Sequence, residues 1–231
     1  MNPFSDYMFA TFEKAILGLD SEGIYALGLR ILCVEDDLRY PSVRLWMNTI
    51  SHVRLHSPEN RKKRKGDAYN FLEAMWSDSY WISRTLATVG NVYLSFEGDY
   101  FDHTGIVLRK AWIESLGLWY DDELRHNNYE KALAIGSKIN ERFDKLGLNI
   151  ARELHPVIQR KFQKDLPIIF FSRESPDHES IALTFLANPS ELIEGYTQFI
   201  CTDCGESWSG LFKLNIDKTK TSLTSLLDYF R

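Results

Sequence analysis

Apolar side chains recur at helical spacing over residues 4–19, where Phe9, Phe12, Ile16 and Leu19 share one side of a 3.6-residue repeat. Asn2 or Ser5 offers a cap at the start, and Gly18 followed by Asp20, Glu22 and Gly23 closes the helix. The next run, 24–34 (IYALGLRILCV), is almost continuously apolar, the pattern of a central strand covered on both faces. A second strand is expected over 43–50 (VRLWMNTI). The acidic, turn-like linker 35–41 makes the two a hairpin or near-hairpin, so the sheet starts antiparallel.

After a polar, basic loop at 57–66, residues 67–81 predict a helix running into an aromatic segment, and 89–96 predict a third strand. A turn-rich loop spans 97–104. Helices follow over 106–119 and 128–162, the second expected to break or bend at Gly147 and Pro156. Segments 166–172 (LPIIFFS) and 180–187 (SIALTFLA) read as two strands of a hairpin turned by 173–179. Asn188-Pro189-Ser190 then opens a helix through Tyr196. A strand at 209–216 and a helix at 222–230 complete the pattern.

Strands and helices do not alternate regularly, and no repeat or linker divides the chain. The expected fold is therefore α+β: a mainly antiparallel sheet flanked by helices in a single compact domain, with 199–231 as a C-terminal extension. The hydrophobic fraction of 44% suits a globular core. The net charge of −5 argues against general nucleic-acid binding, which needs a basic face, and is compatible with a basic protein partner. The N-terminus has no basic start and no long apolar stretch, and no run reaches ~18 apolar residues. With an odd count of 3 cysteines, these features lead to the expectation of a cytoplasmic protein that does not engage membranes.

Candidate chemistry is sparse. Cys201 and Cys204 form a CxxC pair that zinc or redox chemistry can use, but two further ligands are not apparent and the following residues read as loop. His52 and His56 lie one helical turn apart. The metalloprotease pattern needs Glu after the first His, where Val53 stands, so the spacing reads as chance on a loop or short helix. The basic run 61–65 reads as a solvated loop. Searches for GxSxG, GxxxxGK[ST] and GxGxxG fail. Acidic residues cluster in expected loops: Glu35-Asp36-Asp37, Glu97 with Asp99 and Asp102, Asp121-Asp122-Glu123, and Asp203 with Glu206. Such clusters are solvated surface or a patch complementary to a basic partner. Trp208, between Ser207 and Ser209, has the setting of an exposed interface anchor.

Two blocks carry a resemblance. One is EGIYALGLRILCVEDD with VRLWMNTI after the opening helix. The other is DLPIIFFSRESPDHESIALTFLANPSELIEGY, with its Ala187-Asn188-Pro189 after an apolar run. Together they resemble the bacterial domain of unknown function numbered four-three-zero-three. Residues 51–164 and the tail after Phe199 lie outside these blocks. The resemblance implies an α+β domain that acts by binding, as a candidate immunity protein of polymorphic toxin systems, and assigns no catalytic residue. The expected function is occlusion of a cognate, basic toxin domain, with no enzymatic activity and no cofactor. The partner-binding candidates are Asp36, Asp37, Asp121, Asp122, Asp203, Glu206 and Trp208. The alternatives are a hydrolase with a carboxylate-lined cleft and a regulatory or scaffolding protein with a small zinc site at Cys201 and Cys204.

Overall fold

Two long strands form the spine of the fold, β1 (Ile24–Val34) and β2 (Asp37–Thr49), paired antiparallel. The computed structural model describes residues 2–20, 22–34, 37–57, 68, 70–82, 85–92, 101–171 and 178–202. β3 (Ala87–Val89) pairs antiparallel with β2, and β4 (Ile168–Phe171) pairs parallel with β1, giving the order β3-β2-β1-β4. The sheet is mixed and mostly antiparallel, within an α+β architecture.

Strand alternation sorts the side chains onto two faces. Leu27, Leu29, Val43, Leu45, Ile168 and Phe170 enter the larger core. Ala26, Trp46, Ile169 and Phe171 enter a second core with Trp76, Trp81, Tyr196 and Phe199. Gly28 sits on this second face beneath two rings. A Cβ there would meet Phe171 at 2.8 Å and Trp81 at 2.9 Å, so only glycine admits their close approach.

Helix α1 (Pro3–Leu17) covers the larger core with the stripe Phe4, Met8, Phe12 and Ile16, each four residues apart. Asn2 caps it through its side-chain oxygen, which accepts from the Phe4 N–H at 3.1 Å. Short α2 (Ile50–His56) follows β2, and α3 (Phe71–Trp76) leads into a 3-10 turn at Asp78–Tyr80. Next come α4 (His103–Ser115), α5 (Asp122–Asn127) and α6 (Tyr129–Phe162). After β4 come α7 (His178–Ala187), a 3-10 turn at Ser190–Leu192, and α8 (Glu194–Thr202).

Several sequence expectations are corrected. Residues 180–187 are helical rather than the second strand of a hairpin. Nearly every side chain there is buried, and a short run buried all round has no periodicity to separate helix from strand. β4 consequently runs parallel to β1. The long helix α6 neither breaks nor ends at Gly147 or Pro156. An internal proline costs about 3 kcal/mol, but Ile150, Leu154, Val157 and Ile158 bury fully or nearly so, each contributing about 1.5–3 kcal/mol. Nearer its start, Gly136 lets β2 approach closely: a Cβ would meet that of Leu38 at 2.5 Å. The segment 35–41, expected as a turn, is strand from Asp37 onward. Helix α5 was not expected. The expected elements at 209–216 and 222–230 lie outside the described residues.

One acidic residue from the presumed loops proves structural. Asp102 Oδ1 accepts from the Tyr7 hydroxyl at 2.7 Å and caps α4 through the Gly105 N–H at 3.0 Å. Its Oδ2 accepts from the Gly90 N–H at 2.9 Å, so one carboxylate ties α1, β3 and α4 together. Burial, then the bond to Asp102, pushes the Tyr7 hydroxyl up from 10.0 to about 12. A raised phenol stabilises the fold below pH 10 and loses that contribution as pH climbs towards 12. The Tyr7→Phe variant should be less stable near neutrality by about 1–2 kcal/mol. The gap from wild type should close in alkali, measured by urea unfolding across that range. A gap independent of pH would refute the assignment.

Candidate functional site

The start of β2, the end of the α4–α5 connection and the first turn of α5 meet around one guanidinium. Asp37 and Arg39 are two apart on a strand, so they project to the same side. Asp37 Oδ1 accepts from the Arg39 backbone N–H at 3.1 Å and from its Nε at 2.8 Å, and Oδ2 accepts from Nη2, completing a two-pronged fork. Arg39 Nη1 donates to the Tyr120 carbonyl at 2.9 Å, and Nη2 also donates to Asp122 Oδ1. Arg125 stands 3.4 Å from Asp37 Oδ2. The guanidinium lies 4.9 Å from the Tyr120 ring, 5.4 Å from Tyr40 and 5.5 Å from Trp119, distances at which the ring faces attract a cation.

Arg39 is 4% exposed and Asp37 7%, whereas the Asp122 side chain is 72% exposed. The bond to Arg39 holds the Asp122 carboxyl below its ordinary value, and the Asp37 fork raises Arg39 above its own. Burial pushes the Tyr120 hydroxyl up. Asp121 caps α5, its Oδ1 accepting from the Leu124 N–H at 2.8 Å. Glu123 is exposed beside it.

A second guanidinium lies behind the first. Arg109, 1% exposed, donates to the Pro41 carbonyl at 2.8 Å and to the Gly90 carbonyl, and sits 5.2 Å from the Tyr40 ring. Burial works against its charge.

The structure thus brings three of the predicted partner-binding residues together and separates their roles. Asp37 does not reach the surface; both its oxygens are taken within the chain. Asp121 and Asp122 stand at the surface with their carboxylates anchored. Asp36, Asp203, Glu206, Trp208 and Cys204 lie outside the described residues, and Cys201 falls in the last turn of α8. Arg39, Tyr40, Arg109 and Tyr120 were not anticipated. Their signal was the Asp-x-Arg spacing, readable only once 37–41 is recognised as strand.

Elsewhere, a cavity of about 680 Å3 opens between the end of α1, the turn entering β1 and α2, lined among others by Leu19, Asp20, Glu22, Met47, Ser51 and Arg54. Both its carboxylates come from one turn rather than from facing walls. Among the described residues no group of three or more His, Cys, Asp or Glu can hold a metal ion, and no helix is long and apolar enough to cross a membrane. Compared with known proteins, the chain matches no protein-family model, no curated protein and no solved structure.

Proposed function

We propose that the protein is an immunity protein that binds a basic bacterial toxin domain and covers its active site. The observation that carries the reading is the anchored acidic edge of α5. Asp121, Asp122 and Glu123 are consecutive and exposed, Asp122 is held by a buried arginine, and Asp121 is engaged as the helix cap. A carboxylate already held in place loses less side-chain freedom on docking than a free surface side chain does. The two sequence blocks that resemble domain family four-three-zero-three support the same role.

Affinity capture of the tagged chain from its source lysate, with mass spectrometry, tests the reading first. A stoichiometric partner carrying a C-terminal toxin-like domain is expected, and adding one equivalent of the chain should abolish that domain's activity. A captured toxin domain that stays fully active under excess chain would eliminate the proposal.

The edge itself is tested by removing charge while keeping its anchors. Asp121→Ser retains a capping oxygen, Asp122→Asn retains an acceptor for Arg39, and Glu123→Gln is isosteric. The triple variant should keep its melting temperature and associate roughly 10-fold more slowly at low ionic strength, with the difference fading in salt. An unchanged association rate would show that the toxin docks elsewhere.

A further inference from the structure

The two histidines whose spacing read as chance are brought together by the fold. α2 places His52 and His56 one turn apart, with ring centroids 4.8 Å from each other. Thr49 fixes the start of this helix, its hydroxyl accepting from the His52 backbone N–H at 3.2 Å. The His56 ring lies 5.8 Å from that of Tyr80, in the 3-10 turn packed beside α2. Both histidines are half-buried.

We propose that His52 and His56 form a two-imidazole chelate for a borderline divalent cation of the zinc, nickel or copper class on one face of α2. Imidazole suits these ions, and two imidazoles at i, i+4 on one helix face supply two adjacent coordination positions. Among the described residues no third His, Cys, Asp or Glu completes the set, so water or an external ligand takes the remaining positions. The inference is independent of the toxin-binding reading.

The test is a Ni2+ titration of the full chain, its affinity tag removed, carrying Cys201→Ser and Cys204→Ser so that the CxxC thiols do not contribute. One equivalent should bind and raise the melting temperature by mass action. His52→Gln and His56→Gln should each weaken binding by roughly 10-fold or more, while His126→Gln, at an exposed single histidine, leaves it unchanged. Should His52→Gln fail to fold, the His56→Gln result still decides. Cu2+ paramagnetic resonance on the histidine-intact chain gives a separate reading, with coupling to two imidazole nitrogens expected. No binding at roughly millimolar Ni2+, equal binding by the His56→Gln variant, or coupling to a single nitrogen would overturn the proposal.

Discussion

Replacing Arg39 with methionine is expected to lower the unfolding free energy by about 3–5 kcal/mol. The arginine is buried, and its removal leaves Asp37, also buried, with Arg125 at 3.4 Å as its remaining ion-pair partner among the described residues. The Tyr120 carbonyl loses its donor as well, and Asp122 loses the group that holds it. Most of this cost comes from the uncompensated carboxylate rather than from the lost attraction. The double variant Asp37→Leu/Arg39→Met should therefore recover a large part of the stability, since an apolar pair of similar volume often replaces a buried ion pair at little cost. Arg39→Lys keeps the charge but not the fork, and should fall between. Urea midpoints at unchanged m-value measure all three. If the double variant were as unstable as the single one, the stranded-charge account would fail. In the toxin-binding reading the same change loosens the acidic edge, so Arg39→Met should also weaken inhibition at temperatures where the fold persists.

The second large effect is expected at Asn188. β4 lies at the edge of the sheet, and its outward backbone groups need partners. Side chains of α7 and the residue after it supply them. Asn188 Oδ1 accepts from the Ile168 N–H, and its Nδ2 donates to the carbonyls of Ile168 and Thr184, all at 2.7 Å. The Thr184 hydroxyl accepts from the Phe170 N–H at 2.9 Å. Residues 168 and 170 alternate along the strand while 184 and 188 are one helical turn apart, so the two periods match. Asn188→Ala deletes three buried bonds and should cost about 3–4 kcal/mol, with Thr184→Val costing about 1–3 kcal/mol. Hydrogen exchange separates them: the Ile168 amide should lose protection in the first variant and the Phe170 amide in the second. Equal protection of both amides in both variants would refute the pairing. The Ala187-Asn188-Pro189 signature, which the sequence suggested ends a strand, instead acts from a helix end to finish the edge of a strand twenty residues earlier.

Where structure is written in neighbouring residues, it was legible. The stripe in α1, the nearly continuous apolar run of β1 and the repeat along α6 each express a pattern that burial then rewards. The absence of strand–helix alternation was enough for the α+β class. α5 was missed because six residues hold too little period to register, though its Asp121 cap was present. Residues 180–187 were misread because burial on every side erases the period itself.

The candidate site divides in the same way. Charge at 36–37 and 121–123 was visible along the chain, but not which carboxylates are consumed internally. That was decided by contacts over 81 and 83 residues, from Arg39 to Tyr120 and Asp122. The His52–His56 spacing was equally visible, yet only the folded helix gives it a geometry. The sequence alone determined the helical and strand periods and the sign of the surface. Tertiary structure decided which polar groups face each other, because a buried charge or amide is satisfied by whatever the folded chain brings within about 3 Å, and separation along the sequence does not record that.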